Sequence, residues 1–340
     1  MKKSALSALL IGLLMTALTL AGCGGSKPAA TPEKKAEPQK IVLKASSVLP
    51  DTHPTNRALK LFGDKVKEKT KGQVEIQVFG SSQLGEQRDN LEQLKLGTLD
   101  MMMTAAGPLG QFVPTVDVVS LPYVFRDLDH LHKALDGEPG KKLADDITKA
   151  GFVFLYYSDS GSRNLINNKR PIYTPEDLNG IKIRVMNSQL MVNTLKNMGA
   201  IATPMGQGEV YSALQQGVLD GWENSPTVLL QLKLYEVSKY FSWTRHFISP
   251  DVVLMGKKTW EKLSPDQQKA VMEAAKEAAV EQRKMWAADE KTSVDELVKK
   301  GVLFNEIKDV KLFQDKVQPV WKTYTDKNGT ELLTMIQNIK

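Results

Sequence analysis

A single cysteine in 340 residues excludes an intramolecular disulfide and any metal site built from several thiolates. Histidine is almost as scarce. Of the four, only His130 and His132 are close, and residues two apart do not share a helix face. Asp127-Leu128-Asp129 beside them reads as a loop or helix start, so no metal site is expected. Aromatic residues make up 7% of the chain and are not interleaved with a basic stripe. The 45 Lys and Arg are mixed with 39 Asp and Glu, so the formal charge of +6 is dispersed and nucleic-acid binding has no support. Catalytic signatures are missing as well. There is no Gly-x-Ser-x-Gly, Walker loop or His-Glu-x-x-His, and no nucleophile sits beside a base at a recognisable spacing. Gly206-Gln207-Gly208 has Tyr211 where a dinucleotide fingerprint needs its third glycine. Neither an enzyme nor a cofactor is expected.

Long apolar runs are confined to the start. Met1-Lys2-Lys3 is followed by Ala5 to Leu20, a run without a charge that closes on Leu20-Ala21-Gly22-Cys23. Small residues just before a cysteine match a lipoprotein signal, in which residues 1–22 are removed and Cys23 carries the lipid, palmitate included. An uninterrupted membrane helix fits less well, because the run is short and ends in Gly-Cys-Gly-Gly. Residues 23–39 hold Gly, Ser, Pro, Ala, Lys and Glu with no large apolar side chain, the composition of a flexible tether. The sequence thus predicts an extracytoplasmic protein, periplasmic or on the outer face of the cell membrane, anchored through Cys23. Its folded part of roughly 300 residues suggests two lobes rather than one.

Periodicity organises that part. Ile41 to Ala45 reads as a strand and Thr55 to Thr70 as a helix, with Leu59, Phe62 and Val66 on one face. Val74 to Phe79 alternates like a strand, Arg88 to Leu96 is helical up to Gly97, and Leu99 to Met103 returns as a strand. Alternation of this kind implies an α/β lobe with a largely parallel sheet. Leu94-Lys95-Leu96-Gly97-Thr98-Leu99-Asp100 is echoed by Leu214-Gln215-Gln216-Gly217-Val218-Leu219-Asp220. Either this is an ordinary helix–Gly–strand junction, or the chain holds two similarly built lobes. Phe152 to Tyr157 is an apolar strand with a polar exit over Ser158 to Ser162, and Thr174-Pro175-Glu176-Asp177 starts a short helix that Gly180 stops. Ser264-Pro265-Asp266-Gln267 is a capping box opening a helix of roughly 36 residues, about 54 Å long, that either spans both lobes or kinks near Thr292-Ser293. Its apolar positions are mostly alanine without a sustained heptad, against a coiled coil.

Ile181-Lys182-Ile183-Arg184-Val185 sets one guanidinium into a short apolar strand. Burying that cation is costly unless it meets an anion. A structural Asp or Glu bridge is one answer, and a ligand carboxylate held by two parallel hydrogen bonds is the other. Arg163, just after the Ser158 to Ser162 loop, is a second well-placed arginine.

The residues around these arginines resemble those of TRAP-transporter solute-binding subunits of the DctP type. The motifs are Gly80-Ser81-Ser82-Gln83-Leu84-Gly85, Leu121-Pro122-Tyr123-Val124-Phe125, Gly161-Ser162-Arg163 and Lys182-Ile183-Arg184-Val185. The last runs from Glu209-Val210-Tyr211 through Asp220-Gly221-Trp222-Glu223-Asn224. The likeness covers roughly residues 40 to 330. It implies a two-lobed α/β trap of the periplasmic-binding-protein kind, with mixed, mostly parallel sheets and a long helix spanning both lobes. Lobe I would be 40–160 plus 250–289 and lobe II 161–249 plus 290–340, the chain swapping near Tyr157–Gly161 and Phe247–Pro250. The resemblance implies that Arg184 pairs with the ligand carboxylate and that Arg163 and Asn224 hold the ligand's polar end. Gln207, Trp222, Met186 and Gln83 are further expected contacts, with Trp222 equally readable as a core residue. Relative to sialate-binding members, a carboxylate is replaced within Thr104-Ala105-Ala106, an aromatic by Gln207, and an asparagine near Val48, which argues against a nine-carbon amino-sugar acid. The implied function is capture of an organic acid (C4-dicarboxylate, hydroxy or keto acid, or sugar acid) by a monomer that delivers it to a TRAP membrane permease. A binding protein serving a membrane sensor, or an extracytoplasmic hydrolase or lyase, are the alternatives.

Overall fold

The computed structural model describes residues 40–340, so the leader, Cys23 and the tether lie outside the described residues. Two sheets carry the chain. The first has the order β2-β1-β3-β10-β4, formed by β1 (Ile41–Ser46), β2 (Val74–Phe79), β3 (Met101–Ala105), β4 (Phe152–Ser158) and β10 (Asp251–Gly256). The second has the order β11-β9-β5-β8-β6-β7, with β5 (Ser162–Asn167), β6 (Lys182–Val185), β7 (Ile201–Pro204), β8 (Gly221–Asn224), β9 (Tyr240–Ile248) and β11 (Leu303–Glu306). The chain leaves the first sheet between Ser158 and Ser162 and returns between Ile248 and Asp251.

The two sheets share one wiring diagram. β2-β1-β3 and β7-β6-β8 are parallel, and β10 and β4 repeat the antiparallel pairings of β5 and β9. The sequence echo sits at matching corners. Gly97 and Gly217 both adopt the left-handed conformation, at φ 78° and 72°, where a Cβ is disfavoured. Each is followed by an aspartate that reaches the neighbouring parallel strand: Asp100 accepts the Lys44 N–H and Asp220 the Lys182 N–H, both at 2.9 Å. An ordinary helix–Gly–strand junction does not require that second interaction. The echo marks two similarly built halves.

The long helix runs unbroken over Pro265–Lys299, 35 residues, with the Ser264–Gln267 capping box in place. It does not break at Thr292-Ser293, whose hydroxyls turn back onto the carbonyls of Ala288 and Asp289. Its early buried residues, Val271, Ala274, Ala275 and Ala278, pack into the core behind the first sheet, while Leu297 joins the core of the second. Small alanines let it lie close along helix Pro54–Lys69 before it meets helix Pro226–Gln231. The helix read from Thr55 starts one residue earlier, because His53 is its cap, Nδ1 accepting the Thr55 N–H. The C-terminal helices Gln318–Asn328 and Glu331–Gln337 do not follow the second sheet alone. The first packs on helix Gln189–Asn197, the other on helix Glu138–Lys149 beside β4.

Candidate ligand-binding site

Strand ends and loops from both sheets line a cavity of about 340 Å³, counting the part open to solvent. Its walls include Val48, Gln87, Met103 and Ala105 from the first half and Arg163, Met186, Gln207 and Asn224 from the second. Ser160 and Asp251, at the two crossings, complete it. A larger groove of about 930 Å³ lies between helix Glu138–Lys149 and the long helix. It is mostly apolar, and its Arg283 is paired with Asp136.

Arg184 projects from β6 and is 1% exposed. Its Nε donates to the Met205 carbonyl at 2.8 Å and Nη1 to Gln207 Oε1 at 3.3 Å. Among the described residues no carboxylate lies within ion-pair distance of it. Burial pulls its pKa down to about 10, with the Glu223 charge opposing and Arg163 adding to the effect, so it remains a cation at neutral pH. Arg163 is arranged otherwise. Its Nε and Nη2 fork onto the Glu223 carboxylate at 2.5 and 2.7 Å, and Nη2 also reaches the Glu223 carbonyl at 2.8 Å. Burial would raise Glu223, but the charge of Arg163, nearby His246 and the Arg163 donors outweigh it and hold the carboxyl down at about 2. His246 stands 3.6 Å from Glu223 with Nδ1 on Thr244 Oγ1, and burial lowers its pKa against the pull of Glu223. The structural bridge considered for Arg184 is therefore made by Arg163, and the unpaired cation is Arg184.

Gln207 is held from both sides. Arg184 donates to its side chain, while its backbone N–H and that of Gly208 donate to the two Glu86 oxygens at 2.9 Å each. Glu86 stands at the N-terminus of helix Gln87–Leu96, in the other half, so this clasp spans the cavity mouth. Gly206 and Gly208 permit it: a Cβ there would come within 2.8 and 3.0 Å of the Glu86 side chain. Asn224 Oδ1 accepts the Ser225 N–H. Met186 lines the wall, its Sδ 3.9 Å from Gln87 Nε2.

Two expected contacts lie elsewhere. Trp222 is fully buried in the core with Val210 and Leu214, its Nε1 on Ser238 Oγ, and alternation along β8 aims it to the face opposite Glu223. Gln83 is exposed on a turn whose Ser81 and Ser82 have positive φ. The glutamine that the first half places on the cavity is Gln87, whose Oε1 accepts the Ala105 N–H at 2.7 Å and the Thr104 hydroxyl at 3.0 Å. Reading that helix from Arg88 left Gln87 outside it. Ser160 and Asp251 were missed because only strand pairing brings them here. Val48, Ala105 and Gln207 line the cavity, the first two at or within the segments expected to depart from the sialate-binding members and Gln207 at the third such position.

Residues 45–328 match the bacterial extracellular solute-binding protein family 7, DctP. The chain belongs to this family. It is similar to a solute-binding protein of Chromohalobacter salexigens, 38% identical over 86% of this chain and 87% of that one. A TRAP periplasmic solute-binding protein from Citrobacter koseri, solved with bound D-glucuronate, is 40% identical with a TM-score of 0.85, covering 88% and 99% of the two chains. One from Polaromonas, bound to D-erythronate, is 35% identical with a TM-score of 0.86, over 88% and 99%. DctP proteins act outside the cytoplasm, and among the described residues of this one no helix is long and apolar enough to cross a membrane.

Proposed function

We propose that the cavity captures one hydroxylated organic acid, most simply a sugar acid, and that the protein presents it to a TRAP-type membrane permease. The observation that carries this is Arg184: a buried guanidinium without a carboxylate partner, hydrogen-bonded to the side chain of Gln207, which lines a cavity shared by the two halves. A ligand carboxylate supplies the missing anion, and the closed, low-dielectric site strengthens the pair. Arg163, fixed by Glu223, and Asn224, with its Oδ1 engaged and its amide hydrogens available, line the same wall and suit the ligand's polar groups. Gln87, Gln207 and Ser160 add hydroxyl-binding capacity, in keeping with the glucuronate and erythronate of the solved relatives. The lobes proposed are 40–160 plus 250–289 and 161–249 plus 290–340, hinging at the two crossings, with helix Glu331–Gln337 packed back onto the first lobe. The lipid on Cys23 would keep the trap beside its permease, acting as a monomer. Holding the acid unchanged is the reading, without turnover.

Isothermal titration with D-glucuronate, D-galacturonate and D-erythronate tests it. Arg184→Ala should lose at least about 100-fold in affinity for whichever acid binds, with its melting temperature kept close to the parent's, since a carboxylate pair of this kind contributes several kcal/mol. Full affinity in that variant would sink the proposal. The same incubations, read by mass spectrometry, should return the acid intact.

A further inference from the structure

The shared wiring gives Arg163 a counterpart. Asn164 of β5 pairs with Asn224 of β8, as Val252 of β10 pairs with Thr104 of β3. One residue earlier, just after each crossing, stand Arg163 and Asp251. Both line the cavity, with opposite charge. They differ in company. Arg163 is forked to Glu223, whereas the Asp251 side chain, only 4% exposed, has no ion-pair partner among the described residues, and Ser160 is the hydroxyl beside it.

Charge counting around the cavity follows. Arg163 and Glu223 cancel, burial disfavours the charged form of His246, and Asp159 at the crossing is engaged by His132 Nε2 at 2.7 Å. Glu86 is held by two N–H donors. Among the charged residues that line the cavity, Asp251 is then the carboxyl without a cationic partner, and Arg184, bonded to the lining residue Gln207, is the cation without an anionic one. A ligand with one carboxylate on Arg184 leaves Asp251 needing hydrogen-bond donors, which hydroxyls supply. With Asp251 ionised, a second carboxylate would set two buried anions together with no further unpaired cation, which is strongly unfavourable.

We propose that Asp251 is the specificity residue of the site, accepting ligand hydroxyls and excluding acids that carry a second carboxylate. This rests on the proposed capture of an acid at Arg184 and narrows it to polyhydroxylated monocarboxylates. C4-dicarboxylates are thereby turned away.

The experiment is calorimetry at pH 8, where Asp251 is ionised, with matched acids: D-erythronate against meso-tartrate, which differ by oxidation of the terminal CH₂OH to a carboxylate, and D-glucuronate against D-glucarate, which differ by oxidation of the aldehyde carbon. The parent protein should prefer the monocarboxylate of each pair by at least about 100-fold. Asp251→Asn, nearly isosteric, should weaken D-glucuronate by about 10- to 100-fold, the range for losing charge-assisted hydrogen bonds, while narrowing both preferences. Equal or tighter binding of meso-tartrate by the parent overturns the assignment, whether or not the variant folds. So does unchanged D-glucuronate affinity and selectivity in a folded Asp251→Asn protein. If the parent binds no carboxylate at all, the reading of the Arg184 site fails instead, which is a separate result.

Discussion

At the scale of single residues, the site separates charges that are finished from charges that are waiting. Arg163 and Glu223 are finished. Removing the anion leaves a buried guanidinium without compensation, so Glu223→Gln should cost about 3–5 kcal/mol in urea denaturation. Its pH dependence has a definite sign. Glu223 is depressed from its ordinary 4.5 to about 2 in the folded protein, so its contribution is present above the ordinary value and lost as pH falls toward 2. Stability of the parent should decline over that window, and Glu223→Gln should flatten the decline. Asp251 has the opposite sign. Burial raises it from 3.8 to about 7, against Arg163 and Ser160, so the folded state favours its protonated form. Its contribution is full below the ordinary range and lost as pH rises through about 7. Asp251→Asn should therefore melt higher than the parent at pH 8, by roughly 5 °C in the absence of ligand, a gain in stability at the expense of binding.

At the scale of elements, helix termini and short strands position the chemistry. Helix Gln87–Leu96 presents Gln87 to the cavity and Glu86 to the opposite half, so one helix start both lines the site and clasps it. The clasped segment Met205–Gly208 also receives both Arg184 hydrogen bonds, so the clasp and that guanidinium share one segment. Glu86→Ala should speed ligand release by about 10-fold or more, in line with the loss of two charge-assisted hydrogen bonds. Glu86→Gln, able to accept only one of them, should fall between. Stopped-flow displacement measures both, and equal release rates in all three proteins would contradict a closing role for the clasp. Gly161 shows what the crossing demands. It has φ 67°, and a Cβ there would meet Trp286 of the long helix at 2.6 Å, so the crossing and that helix are fitted to each other.

At the scale of the whole molecule, two equivalent five-strand arrangements face one cavity, joined by two crossings, the long helix and the C-terminal helices. Ligand binding should contract the molecule, since Glu86 and Gln207 belong to different halves. Small-angle scattering with and without D-glucuronate should show a smaller radius of gyration in the bound protein, and a reduced contraction in Glu86→Ala. The sequence by itself determined most of the elements, because apolar spacing, Gly97 and Gly217 at helix ends, and the Ser264–Gln267 box are local signals. It also singled out Arg184, since a lone guanidinium in an apolar strand stands out wherever the strand goes. Tertiary structure alone decided which arginine was spent. Glu223 is 60 residues from Arg163 in sequence, and only the antiparallel pairing of β5 with β8 brings them together. The same physics moved Trp222 into the core, replaced Gln83 by Gln87, and placed Asp251 opposite its counterpart. Strand direction and register are set by long-range packing, which leaves no trace in the spacing of neighbouring residues.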